Sequence, residues 1–101
     1  MGDIGALRGV WNIVPTPFTP DGELDTASIP GLVEFVHGTG VDGMTILGVL
    51  GEAGRLGDLE RTSVLETVLD AAAGAIPVCV GVSHASTDRA IALARLSSSI
   101  L

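Results

Sequence analysis

The chain has 101 residues, enough for one domain at most, with 12 acidic and 5 basic residues for a net charge of −7. That balance, with no basic stripe, excludes a nucleic-acid surface and disfavours anionic membranes. A hydrophobic content of 47% and a mean hydropathy of +0.54 are high for so short a domain, so the expectation is strands buried on both faces or a larger core only partly held here.

The start, Met1 to Gly9, has neither the basic nor the apolar region of a secretory signal. Gly9 to Val14 reads as a first strand, stopped by Pro15-Thr16-Pro17. Asp21-Gly22 is a turn signal, and Asp25 or Thr26 can cap a first helix that tolerates Pro30 in its opening turn. Ile29, Leu32, Val33 and Val36 fall on one helical face, and Gly38 and Gly40 end it. Met44 to Leu47 is a second, buried strand. The turn Gly48-Val49-Leu50-Gly51-Glu52 follows it. Gly57 and Glu60 make half of a capping box for a second helix carrying Leu65, Val68, Leu69 and Ala72, closed by Gly74. Pro77 to Val82 is a third strand, and Ser86 or Thr87 caps a third helix with Ala90, Ile91, Ala94 and Arg95.

The order is therefore β-α-β-α-β-α. Right-handed crossovers then give a parallel sheet with its three post-strand turns at one end. Two architectures satisfy that order: the opening of a (β/α)8 barrel, or a small doubly wound sheet. Both place ligands at the carboxyl ends of the strands, where Gly48 to Glu52 falls.

Other residues divide between chemistry and structure. Glu52 is a candidate acid or base, but no second carboxylate lies beside it in sequence, so holding the turn is its expected role. Thr16 and Ser83 are candidates to line a pocket or to serve as turn hydroxyls. His84 is expected in a solvated loop, and His37 at a helix end complements the dipole. Cys79 and Trp11 are expected in the core. The lone cysteine excludes an internal disulfide and fits a reducing cytoplasm. Asp21, Glu23 and Asp25 suit turn and cap duty better than a metal, and Gly48 to Gly51 is too short for a phosphate-binding P-loop. All five basic residues are arginines (Arg8, Arg55, Arg61, Arg89, Arg95), and the chain has no lysine and no tyrosine.

Gly48-Val49-Leu50-Gly51-Glu52-Ala53 with Glu60 resembles the signature of the dihydrodipicolinate synthase / N-acetylneuraminate lyase family. Val14-Pro15-Thr16-Pro17-Phe18 with Asp21-Gly22 and Asp25, and Pro77 to Ser83 with the Ala90 to Ala94 helix, resemble its first and third units. The resemblance implies a (β/α)8 barrel that makes a Schiff base between a lysine and pyruvate or another 2-oxo acid. It implies a carbon–carbon or carbon–oxygen lyase that is a homo-oligomer, with no metal or organic cofactor. In the family a tyrosine relays protons, and the turn after the second strand holds the substrate carboxylate. Only that turn maps here: Val49 and Leu50 N–H groups as donors, with Gly48, Gly51 and Glu52 shaping it. The family turn carries hydroxyls where this chain has Val49 and Leu50, which marks a divergent member and disfavours true dihydrodipicolinate synthase activity.

A whole barrel takes ~250 residues, so the expectation is a truncated N-terminal part holding three of eight units and inactive alone. The competing expectations are a non-catalytic chain, an interaction module that self-associates through open strand edges, or a doubly wound domain that binds an anion at Gly48 to Gly51.

Overall fold

The computed structural model describes residues 9–48, 50–82 and 87–100. Strands β1 (Trp11–Ile13), β2 (Gly43–Ile46) and β3 (Val78–Val80) form one parallel sheet in the order β1-β2-β3. Helices α1 (Ile29–Gly38), α2 (Asp58–Ala72) and α3 (Thr87–Ile100) alternate with them, as the periodicity predicts. Strands β1 and β3 are shorter than predicted and β2 starts and ends one residue earlier, but pairing outlasts them. Val14 N donates to the Thr45 carbonyl and Gly81 N to that of Ile46, each at 2.9 Å.

Local signals position the helices. Asp25 opens the first helical segment: its carboxylate accepts from Ser28 N at 3.2 Å and from Ser28 Oγ at 2.6 Å. A 3-10 turn, Thr26–Ser28, leads into α1, where Pro30 sits in the first turn and so removes no intrahelical hydrogen bond. Gly40, at φ +83°, follows the helix end. For α2, Glu60 Oε1 accepts from Gly57 N at 2.9 Å, and the left-handed pair Ala73 and Gly74 reverses the chain. Ser86 lies outside the described residues. Thr87 is the first residue of α3 itself.

Register decides which side chains are covered. Asn12 pairs with Met44, Met44 with Val78 and Ile46 with Val80, while Trp11 pairs with Gly43, Ile13 with Thr45 and Thr45 with Cys79. Successive strand residues face opposite ways, so Val14, Met44 and Ile46 share one face. That face packs with Ile29, Val33 and Val36 of α1 and Val64, Leu65 and Val68 of α2 into the core. Both helices join one core on one face, where a doubly wound sheet would put helices on both.

Two expectations are corrected here. Cys79 is exposed, and Trp11 is only half-buried. Their side chains lie on the face that no helix covers among the described residues, with Ile13 at 50% exposure beside them. Trp11 lies over Gly43, where a Cβ would fall 2.5 Å from the ring. The third helix also departs from expectation. Ala90 is half-buried, whereas Ile91, Ala94 and Arg95 are exposed. The third unit ends the β1-β2-β3 order, so it has a neighbouring unit on one side only. No helix among the described residues is long and apolar enough to cross a membrane.

Candidate functional site

Parallel strands bring their carboxyl ends to one edge of the sheet. Three segments meet there: Val14-Pro15-Thr16 after β1, the turn after β2, and Gly81-Val82 after β3. Ser83 and His84, predicted at the same edge, lie outside the described residues, as does Val49 at the centre of the turn.

The turn after β2 is held from both sides. Thr16 is buried, and its hydroxyl donates to the Gly51 carbonyl at 2.5 Å, a contact across 35 positions of sequence. From the other side, Gly81 passes so close to Leu47 that a Cβ would lie 2.4 Å from the Leu47 carbonyl oxygen. Glycine is the residue that permits that approach. Leu47 and Glu52 bracket the turn at φ 58° and 54°. Both are left-handed without being glycine, a conformation that costs of order 1–3 kcal/mol each and persists only where surrounding contacts enforce it.

The predicted site residues are placed as follows. Gly51 is buried and Gly48 half-buried, and the Gly48 carbonyl accepts from Ala53 N at 3.4 Å. Leu50, at the tip of the turn, is 62% exposed. Glu52 caps a 3-10 turn, Ala53–Arg55, with its backbone, since its carbonyl accepts from Arg55 N at 2.9 Å. Its carboxylate reaches Arg55 Nη1 at 3.7 Å. That pair is solvated and contributes little to stability. Asp25 is occupied as a cap, and among the described residues no three His, Cys, Asp or Glu side chains gather as a metal site requires.

Arg61 was not singled out from sequence, yet it is the one charged side chain buried among the described residues. It projects from the first turns of α2, and its Nη2 donates to the Ala53 carbonyl at 2.7 Å. The signal for it existed. Positions 61, 64, 65, 68 and 72 form one helical line, and all five are buried. A cation on that apolar line calls for a partner.

Trans-planar peptide units make this anchoring directional. A carbonyl pinned one way sends the following N–H the opposite way. Thr16 on the Gly51 carbonyl thus turns the Glu52 N–H away from Thr16, and Arg61 does the same for the Gly54 N–H. The result is a strained, glycine-bounded turn with oriented amides at the carboxyl edge of a parallel sheet.

Known proteins share the family and the fold of this chain. The model of the dihydrodipicolinate synthetase family matches residues 6–100. An uncharacterized DapA-like lyase of Rhizobium meliloti is 37% identical over 99 residues, covering 94% of this chain and 33% of the relative. The structure of N-acetylneuraminate lyase from Mycoplasma synoviae superposes with a TM-score of 0.90 at 28% identity, over 96% of this chain and 34% of that one. Dihydrodipicolinate synthase from Acinetobacter baumannii, solved in complex with pyruvate, superposes with a TM-score of 0.86 at 30% identity, over 91% and 32%. The chain spans about a third of the length of the relatives it matches, and its open sheet corresponds to three β/α units of a (β/α)8 barrel. From the family match and the shared architecture together, the chain belongs to the dihydrodipicolinate synthetase family.

Proposed function

We propose that residues 1–101 form the N-terminal part of a single (β/α)8 domain of a Schiff-base-forming lyase, and that the Gly48 to Glu52 turn binds the carboxylate of pyruvate or another 2-oxo acid. The observation that carries this reading is the turn itself, fixed at the carboxyl edge of the sheet by the buried Thr16 hydroxyl on the Gly51 carbonyl. In barrel enzymes that edge is where substrates bind. A relative with the same architecture was solved with pyruvate, which supports the substrate class.

The chain's own contribution is binding and orientation. Val49 and Leu50 supply N–H donors, while Gly48, Gly51 and Glu52 shape the turn around them. Neither Val49 nor Leu50 carries a hydroxyl, so the carboxylate is held by backbone dipoles and this turn relays no proton. A charge-assisted hydrogen bond from a side chain is worth ~1.5–3 kcal/mol, so its absence weakens binding without abolishing it. The amine that attacks the substrate carbonyl comes from outside these residues, because they contain no lysine.

The test is borohydride trapping with labelled pyruvate. The chain alone should stay unlabelled. Mixed with a polypeptide carrying the remaining two-thirds of the Rhizobium meliloti relative, it should permit label on that polypeptide and only when both are present. Label on this chain, or none on the mixture, overturns the reading.

A further inference from the structure

Arg61 offers an inference that the carboxylate reading does not contain. Its guanidinium is buried at 4% exposure, away from water that would solvate its charge. A cation is placed there against a desolvation cost, and that cost is tolerated only where specific acceptors receive it. One such acceptor is the Ala53 carbonyl, one residue beyond left-handed Glu52, at 2.7 Å. Ala53 N in turn closes onto the Gly48 carbonyl, so the residue that Arg61 grips ties the two ends of the turn together. The grip comes from a long helix, and Arg61 N is itself bonded to the Gly57 carbonyl at 2.9 Å. An apolar residue at position 61 would continue the line of Val64, Leu65 and Val68 without that desolvation cost.

We propose that Arg61 is a positioning residue for the Gly48 to Glu52 turn: its buried guanidinium fixes the Ala53 carbonyl and so holds Glu52 left-handed and the turn amides in their binding orientation. Arg61 touches no substrate in this scheme. The clamp is independent of what the turn binds, and only the ligand arm of the test rests on the carboxylate reading.

The experiment is hydrogen–deuterium exchange read by mass spectrometry on the full chain, comparing wild type with Arg61→Met and Arg61→Lys. Methionine keeps much of the apolar stem and removes every donor. Lysine keeps the charge and a donor. Arg61→Met is expected to speed exchange in the segment 48–56 by about tenfold or more, in line with loss of a charged hydrogen bond, with segments 29–38 and 43–46 unchanged. Arg61→Lys should recover part of that protection. Unchanged exchange in 48–56, or equal acceleration of all segments, overturns the proposal, the second because it makes Arg61 a general stabiliser of the fold. Millimolar pyruvate adds the second arm. Protection of 48–56 that is lost in Arg61→Met and partly regained in Arg61→Lys supports positioning, and equal protection in all three overturns it. Pyruvate that protects none of the three sinks the carboxylate reading, while the exchange rates alone still decide the clamp.

Discussion

Met44 and Thr45 are adjacent in β2, yet Met44 is fully buried and Thr45 shares its face with exposed Ile13 and Cys79. The two faces of the same three strands differ in what covers them. Helices α1 and α2 supply the core on one face, where each buried aliphatic side chain is worth ~1.5–3 kcal/mol. On the other face Trp11, Ile13, Gly43, Thr45 and Cys79 carry no charge, but a similar return is not collected. Barrel interiors are filled by the inward-facing side chains of the strands, and Ile13, Thr45 and Cys79 lie side by side on one face of β1, β2 and β3 without a charge among them. The lesson is that the packed core of this polypeptide lies on the helix side, while no helix among the described residues covers the open side.

That contrast is open to measurement, beginning with its strongest arm. Met44→Ala should cost ~2–5 kcal/mol, the usual range for emptying a fully buried site, and should erase or sharply lower the urea transition. A loss below about 1 kcal/mol would mean that the helix-covered face is not the stable half. The two crowded glycines sharpen the same point. At Gly81 an added Cβ meets backbone, the Leu47 carbonyl, which cannot step aside. Gly81→Ala should therefore cost ~1–3 kcal/mol and loosen the turn after β2. At Gly43 the added Cβ meets the Trp11 ring on the open face, where the ring has solvent to swing into. Gly43→Ala should cost less than Gly81→Ala and should shift Trp11 fluorescence to the red. The reverse ranking in urea would show that the open face is packed after all.

Thr16→Val sits next in size. It keeps the shape and removes the hydroxyl, leaving the Gly51 carbonyl buried without its donor, at a cost of ~1–3 kcal/mol. Proteolysis within 47–56 should rise before the urea midpoint falls far. A variant with wild-type protection of that segment would mean the turn keeps its shape without Thr16.

How much of this could be read from the chain follows the same division. The strand–helix alternation, the Asp25 and Glu60 caps and the apolar lines of α1 and α2 were legible, because helical period and capping chemistry are local. Burial of Cys79 and Trp11 was misjudged because a short apolar strand gives no sign of which face will be covered. The exposure of Ile91 has the same origin, since a helix line predicts a packing face but not the presence of a neighbour. In the candidate site, the glycine-bounded turn was visible as a turn. Its anchors were less so: Thr16 lies 35 positions from the carbonyl it holds, and Arg61 is buried on an otherwise apolar line.

The smallest expected effect is the one that tests the comparison most directly. Ile13 is half-exposed on the open face, so in the chain alone Ile13→Ala removes little that is buried and should change stability by no more than about 0.5 kcal/mol. The uncharged face and the two strand edges left unpaired among the described residues also favour association between copies. A net charge of −7 opposes it, but that repulsion is screened beyond about 10 Å at 0.1 M salt. Sedimentation at micromolar concentration should therefore show self-association of the wild-type chain that Ile13→Ala reduces. When the rest of a barrel is supplied in trans, the same substitution should become expensive, approaching the ~2–5 kcal/mol of a buried aliphatic truncation. The expected outcome is a cost that depends on cover: near zero for the bare chain and large for the completed barrel. An equal cost in both states would mean that Ile13 faces solvent in either, and that the open face is not the inner wall of a barrel.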